Sequence, residues 1–562
     1  MRLGWREMLP GMCLLVAGCA GHPVERPSAA LDEDAFRTHV RTLASQEFQG
    51  RRPGTPGEER TVAYLTDQFR RLGLKPGFGK QYSQPVPLIE IRVSGPVGLQ
   101  VETASGMFQL APGRDVLIWS RRPDSSVGLE HSAVVFAGHG VVAPEYGWDD
   151  YAGMDVRGKT VLLLSNDPGF SSGDPTLFKG RAMTGYGTPA YKFEEAARHG
   201  AAGALIIHDD ASAGYSWNAA EAIHSGPRLD QREADGGLAR VPVEGWISPD
   251  AARRLLDAAG QDPARLRKAA SVKGFKANLL KIRVDTRIHN EVREVDSNNL
   301  VAVIPGNERP HECIVFSAHW DGLGEQADAG GGKLFPGAIE NASGVAALLT
   351  IAQTMSRAPR RPARSMVFLF PTATEEGLLG SSWYVRHPVC AMRDTVAVIN
   401  VDPAHIGGPT RDVQVEQPGS SELDTILRGS ALLQGREERA APHPEYGEFF
   451  ASDSFTFASA GVPVLSARGG IDDSARGPRW GQAQEDDFRQ HRYLQPGDRY
   501  QESWDLRGTL QDLALYLDVA MRLAYASRFP EWSPNSRFRA IRERDRTGQG
   551  GVRFTRGAAS GH

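Results

Sequence analysis

Four short segments between residues 319 and 402 carry side chains of the types that bind metal ions. They are His319-Trp320-Asp321, a loop whose carboxylate is Glu340, the pair Glu375-Glu376, and Asp402. One imidazole with several carboxylates is the ligand set of a carboxylate-bridged dinuclear metal centre, because zinc accepts nitrogen from His and oxygen from Asp and Glu. The segments therefore predict a metal site that activates water.

The neighbours of each side chain indicate its role. Asp321 lies two residues after His319, where a carboxylate fixes the tautomer of a metal-binding imidazole. Glu375 and Glu376 would repel each other without a cation, so one can bind the metal while the other acts as general base. Isolated His-x-Asp and Glu-Glu patterns are more often structural. Asp402, a further oxygen ligand, favours the metal site.

The metal-binding segments follow apolar runs that read as strands. The predicted strands are 299–306, 314–318, 365–370 and 395–401, and the predicted helices begin at Ser343 and near Leu506. Strands that alternate with helices favour a three-layer α/β sandwich. Open α/β sheets bind ligands beyond the carboxyl ends of their strands, which is where these side chains fall.

The chain before residue 299 has a different character. Residues 31–77 predict two helices around a loop, 50–54, and residues 116–280 predict short strands and one helix, 191–198. The second block lacks clustered ligands and a nucleophile motif. We therefore expect 116–285 to be a non-catalytic inserted domain.

The N-terminus predicts export. Arg2 and Arg6 precede an apolar run, 8–17, which is far shorter than the roughly 20 residues that span a bilayer. It ends in Val-Ala-Gly-Cys at Cys19, similar to a bacterial lipobox, in which the Cys is lipidated after cleavage. We expect a signal peptide (1–18), a tether (19–30) and a lipid anchor at a bacterial membrane, facing the periplasm. The alternative is a plain secretory signal that happens to contain Cys19.

Composition limits the remaining possibilities. At 562 residues the chain is too long for one core and predicts two or three domains. A net charge of −4 gives no reason to expect nucleic acid as a partner. Cys313 and Cys390 remain in the globular part, where export permits a disulfide but sequence cannot test it. The Arg-rich tail beyond Pro530 is expected to fray after its first few residues, as a solvated end.

Together these motifs resemble the co-catalytic zinc aminopeptidases of metallopeptidase family twenty-eight. The resemblance covers Asn299 to about Ala526, and the helices at 31–77 match the usual lead-in of the family. The insert resembles a protease-associated domain through 138–144, 155–159 and 192–197. The resemblance implies a mixed, mostly parallel central sheet, with 31–115 and 286–530 forming the peptidase domain and 531–562 a basic tail.

The resemblance also implies roles at the site. One zinc would bind His319 and Asp402, and the other would bind Glu376 and a late His. Glu340 would bridge the two ions, and Glu375 would be the general acid/base. The substrates would be peptides, bound through a free N-terminal amine.

Three positions depart from that pattern. The bridging residue is Glu340 instead of Asp, and the stretch 451–454 lacks an Arg and a His that line the pocket in the family. The late His, which should precede Gln-Pro-x-Asp, is Leu494. His491 lies three residues earlier and could substitute only if the loop turned it inward. The second site then keeps only carboxylates, which suit Mg²⁺ or Mn²⁺ better than zinc, so one zinc is expected more than two.

Two functions of different class follow. The first is an exported, zinc-dependent exopeptidase of the aminopeptidase type whose second metal site is degenerate. The alternative is a pseudo-peptidase that keeps the fold as a peptide-binding module. Substituting His for Leu494 is expected to raise zinc content and turnover if the other ligands are intact.

Overall fold

We describe the chain from a computed structural model. It describes residues 30–547, apart from 225, 234–236, 238 and 327–331. The predicted signal peptide, Cys19 and the tether before residue 30 lie outside the described residues. No described helix combines the length and apolar character needed to cross a bilayer.

The peptidase sheet is built around four parallel strands. In spatial order these are Arg364–Phe370, Arg309–Ser317, Thr395–Asn400 and Val464–Gly469. Their apolar runs are buried, as expected for parallel strands covered on both faces. Antiparallel strands extend both edges: Asn278–Ile304, Ser83–Val93 and Arg228–Gln231 on one side, Asp412–Val415 on the other, where Glu437–Ala440 then pairs in parallel.

Helices cover both faces of this sheet. Adjacent residues of the central strands point to opposite sides: Phe316 and Phe368 join one core cluster, whereas Val315 and Val367 join another. On the first face lie Glu33–Leu43, Pro56–Arg71, Gly344–Ser356, Leu423–Leu432 and Arg507–Tyr525, and on the second lie Leu379–Arg386 and Asp453–Ser459. The predicted three-layer α/β sandwich with a mixed, mostly parallel sheet is thus confirmed.

A second mixed sheet forms the insert. Its strands, in spatial order, are Gly106–Leu110, Leu99–Thr103, Asn278–Ile304, Ser126–Phe136, Thr160–Leu164, Gly203–Ile207, Val243–Ile247 and Val116–Trp119. Its helices include Pro189–Arg198, Trp217–His224, Pro249–Ala258 and Pro263–Ala270. The sheet therefore begins at Leu99, earlier than the predicted start at 116. The 27-residue strand Asn278–Ile304 belongs to both sheets and joins the two units.

The structure corrects two local predictions, on the Ser343 cap and on the C-terminal tail, and it answers the open question about Cys313 and Cys390. Ser343 precedes the helix Gly344–Ser356 but makes no side-chain cap, because its hydroxyl donates to the Ile339 carbonyl at 2.7 Å. The C-terminal tail does not fray after its first few residues: Arg537–Arg546 is a helix, and buried Arg542 donates to the Met392 and Thr395 carbonyls at 2.6 Å each. Cys313 and Cys390 form a disulfide.

Candidate metal centre

The predicted site residues meet at one large cavity. Its volume is about 1480 Å³, and its walls come from the peptidase sheet, the insert and the helix Arg537–Arg546. His319, Glu375 and Asp402 each lie just beyond the carboxyl end of a parallel strand, where the topology of an open α/β sheet places ligands. All three line the cavity together with Glu340 and Glu376.

Three of these side chains form a close group that could hold a metal ion, which we call the metal-binding group. His319 Nε2 lies 3.2 Å from Glu340 Oε1 and 3.1 Å from Asp402 Oδ1, and the three ligand atoms all lie within 4.8 Å of one another. His319 is 2 % exposed. Burial raises the pKa of Asp402 to about 6, although His319 opposes this shift. A buried carboxylate, Glu340, and a half-buried one, Asp402, beside one imidazole fit a single divalent cation with an open coordination position.

Asp321 lies behind the imidazole. His319 Nδ1 is 3.1 Å from the Asp321 carbonyl oxygen and 3.4 Å from its Oδ1. The same carboxylate accepts from the backbone N–H groups of Thr374 at 3.1 Å and Glu375 at 3.3 Å. Asp321 thereby links the orientation of the imidazole to the loop that carries Glu375.

Glu340 is held by contacts to its backbone. The buried carboxylate of Asp498 accepts from the N–H groups of Ile339 at 2.8 Å and Glu340 at 2.9 Å. Arg51 is fully buried and donates to four carbonyl groups at 2.7–3.0 Å, among them Gly337 in the same loop. The sequence analysis assigned no role to Asp498. This residue is the Asp of the Gln-Pro-x-Asp motif that follows Leu494.

Glu375 lies in the cavity beside the metal-binding group. Burial raises its pKa well above the usual value, His319 opposes the shift, and Glu340 and Asp321 add to it. A carboxylate in such surroundings takes up a proton readily, which is what a general acid/base needs.

Glu376 has different partners and does not join the group. Its carboxylate lies 3.1 Å from Arg52 Nη1 and 3.8 Å from Arg228 Nη1, and it accepts from the Leu229 N–H at 3.3 Å. These guanidinium groups come from the 50–54 loop and from the strand Arg228–Gln231. The predicted ligand of a second zinc is thus already neutralised by two cations.

The other predicted elements of the second metal site are also unfavourable. Leu494 lines the cavity with a left-handed backbone, φ +53°. His491 ends the helix Pro478–His491, its side chain is 61 % exposed, and its Nδ1 lies 3.2 Å from Asp487. His491 makes no contact with the metal-binding group. It therefore does not replace the late His that is missing at Leu494.

The three-layer α/β sandwich and the imidazole–carboxylate group at its strand ends agree with the family that the sequence motifs resemble. Residues 299–518 match the model described as Peptidase family M28, and this part of the chain is a domain of that family.

Individual relatives agree with this assignment over limited spans. The chain is 30 % identical over 171 residues to a "Probable zinc metalloprotease" of Pyricularia oryzae, covering 28 % of this chain and 32 % of that protein. It is 28 % identical over 145 residues to "Aminopeptidase NAALADL1" of Mus musculus, covering 25 % of this chain and 18 % of that protein. The alignments thus span a third or less of these relatives.

A solved structure has the same fold over most of the chain. The "Aminopeptidase from Aneurinibacillus sp. strain AM-1" superposes with a TM-score of 0.50 at 18 % identity, covering 90 % of this chain and 95 % of that one. At this identity the likeness concerns the fold.

Proposed function

We propose that this protein is a metal-dependent exopeptidase of the aminopeptidase type that works with one divalent cation, zinc by preference. The observation that carries this is the group of His319, Glu340 and Asp402, whose ligand atoms all lie within 4.8 Å of one another beside Glu375. A bound cation at such a group supplies Lewis-acid activation of water and of the scissile carbonyl. Glu375 then holds and delivers the proton, and Asp321 keeps the imidazole oriented.

A second cation does not fit the residues that the family pattern assigns to it. Leu494 has no lone pair to donate, and Glu376 lies between Arg52 and Arg228. Because a cation at Glu376 would have to displace two guanidinium groups, we assign the protein one metal ion.

The alternative function is a pseudo-peptidase that binds peptides without cleaving them. It is favoured by the same departures, Leu494 and the stretch 451–454, because the site has lost groups that line it in related enzymes. The two functions differ in one measurable property, since only the enzyme needs the cation.

Metal analysis together with a hydrolysis assay separates them. Purified protein is stripped with a chelator, reloaded with zinc, and measured for bound zinc and for cleavage of a panel of N-terminal aminoacyl substrates. About one zinc per chain with chelator-sensitive cleavage supports the enzyme. Protein that binds no zinc and cleaves no member of the panel supports the binding module, and about two zinc per chain contradicts the one-metal site.

We also propose that the protein is exported and lipid-anchored through Cys19, with 1–18 as signal peptide. The support is the sequence motif alone. Labelling cells with a radioactive fatty acid tests it: the wild type should incorporate label, and Cys19→Ala should not. Label retained in Cys19→Ala would rule out Cys19 as the modified residue.

A further inference from the structure

Two arginines from the inserted segment 116–285 lie on the wall of the reaction cavity, within a larger arginine cluster. Arg121 follows the strand Val116–Trp119 and Arg228 begins the strand Arg228–Gln231. Both line the cavity that holds His319, Glu375 and Asp402. Arg121 also contacts the segment that carries Glu375 and Glu376, since its Nη2 donates to the Glu376 carbonyl at 3.2 Å.

The guanidinium groups of this cluster are not saturated. Arg121 lies 3.5 Å from Asp230 and 3.7 Å from Glu244, both longer than an ordinary N–H···O bond. Arg228 is 4 % exposed; its Nη2 contacts His224 Nδ1, its Nη1 is 3.8 Å from Glu376, and its Nε has no hydrogen-bond partner. A guanidinium carries five N–H donors, so each of these groups has donors to spare.

Arg51 shows what a purely structural arginine looks like in this molecule. It is fully buried, and its Nε, Nη1 and Nη2 donate to four carbonyl groups at 2.7–3.0 Å. Buried donors are normally satisfied in this way, because an unmet donor costs free energy. Arg121 and Arg228 differ from Arg51 because they line the reaction cavity and because their partners include carboxylates at 3.5–3.8 Å.

The charges around the cluster favour an anionic ligand. Among the described residues, this arginine cluster pairs four guanidinium groups with three carboxylates. The arginines are Arg52, Arg121, Arg228 and Arg240, and the acidic residues are Asp230, Glu244 and Glu376. The cluster thus has one positive charge in excess. Trp119 supports it, with the Arg228 guanidinium 4.7 Å from its ring centre, and a fork of N–H donors matches a carboxylate in shape.

We propose that Arg121 and Arg228 bind a substrate carboxylate, so that this protein prefers peptides with an acidic side chain next to the scissile bond. This inference rests on the proposed function, because a substrate whose scissile carbonyl lies at the metal-binding group extends along the wall formed by the insert. The insert then supplies substrate specificity as well as a cover for the cavity.

The test compares two dipeptides, Glu-Ala and Gln-Ala, which differ only in carboxylate against carboxamide. Binding is measured by titration calorimetry on metal-free protein, where no metal-dependent cleavage interferes. We expect Glu-Ala to bind at least about tenfold more tightly, because hydrogen bonds to charged groups contribute more than neutral ones. We expect Arg121→Gln and Arg228→Gln to reduce this ratio towards one.

Controls separate recognition from folding. Arg287→Gln removes an exposed ion pair between Arg287 and Glu130 in the insert. Because Arg287 does not line the cavity, this variant should keep the wild-type ratio of Glu-Ala to Gln-Ala affinity. Arg121→Lys and Arg228→Lys keep the charge and should retain part of the preference, and the melting temperature of each variant reports its folding. If a variant fails to fold, the wild-type ratio still decides.

Equal binding of the two dipeptides by the wild-type protein would overturn the proposal, as would a ratio unchanged in both Gln variants. Loss of the proposed function gives a different result: zinc would be absent and cleavage missing while the preference for Glu-Ala persisted. With zinc bound, the ratio of kcat/KM values for the two dipeptides should follow the ratio of their affinities.

Discussion

Glu375 and Glu376 are neighbours in the chain, yet they belong to two regions with opposite electrostatics. On one side, His319, Glu340 and Asp402 form a group of ligand atoms within 4.8 Å of one another. On the other, Glu376 lies between Arg52 at 3.1 Å and Arg228 at 3.8 Å. The first region has an excess of carboxylates and can bind a metal cation, whereas the second already contains two guanidinium cations. A carboxylate at the position of a metal ligand is therefore available to a metal ion only if no guanidinium group is paired with it.

The largest expected effect comes from removing the single imidazole. His319→Ala deletes the nitrogen ligand and leaves the carboxylates of Glu340 and Asp402 without their partner. Zinc content should therefore fall from about one ion per chain to background, and cleavage with it. Elemental analysis after dialysis measures this. His491→Ala is the matched control, because His491 is 61 % exposed and pairs with Asp487; a similar loss of zinc there would contradict the assigned ligand set.

Breaking the second region should affect stability more than metal binding. Glu376→Gln leaves Arg52 and Arg228 without their carboxylate, and removing one partner of a buried ion pair destabilises by about 3–5 kcal/mol. We expect a loss near the lower figure, since other carboxylates lie close, with zinc content unchanged. Urea unfolding and elemental analysis measure the two quantities.

Glu294→Gln provides the comparison for this variant. Glu294 is 75 % exposed and lies 2.8 Å from Arg232, and exposed pairs contribute no more than about 1 kcal/mol. If Glu376→Gln instead lost its zinc and kept its stability, Glu376 would be a ligand and the contrast between the two regions would be wrong.

Sequence reasoning could predict the peptidase fold and the metal group, because both depend on local patterns. Apolar runs identify the buried strands, and the ligands follow them directly, as His319 and Asp402 do. The fate of Glu376 depends on Arg52 and Arg228, which lie 324 and 148 positions away in the chain. No local pattern predicts such a contact. The sequence showed only departures from the family pattern, at Leu494 and in the stretch 451–454.

A moderate effect is expected from Asp498, which positions the metal group without being part of it. Asp498→Asn replaces one carboxylate oxygen by an N–H donor that opposes the N–H groups of Ile339 and Glu340. Zinc affinity should fall about tenfold, as is typical for residues that orient ligands. Competition with a chelator measures the affinity. The control is Asp505→Asn, which removes an ion pair with Arg507 and should leave the zinc affinity unchanged. An equal loss of zinc affinity in both variants would contradict the role assigned to Asp498.

The smallest effect is expected from Leu494→His. The sequence alone suggested that this change would raise zinc content, on the condition that the other ligands were intact. The structure shows that the condition is not met, since Glu376 is paired with Arg52 and Arg228. Histidine tolerates the left-handed backbone at this position better than leucine, so the variant should fold. Its zinc content should nevertheless stay at about one ion per chain.

Combining Leu494→His with Arg52→Leu and Arg228→Leu should be different, because neutral side chains release Glu376 as a ligand beside the new imidazole. Zinc content should then rise above that of the single variant, measured by elemental analysis on folded protein. A second zinc in Leu494→His alone would mean that a cation displaces the guanidinium groups from Glu376 unaided. In that case the missing imidazole, and not the arginine pair, is what keeps this protein to one metal ion.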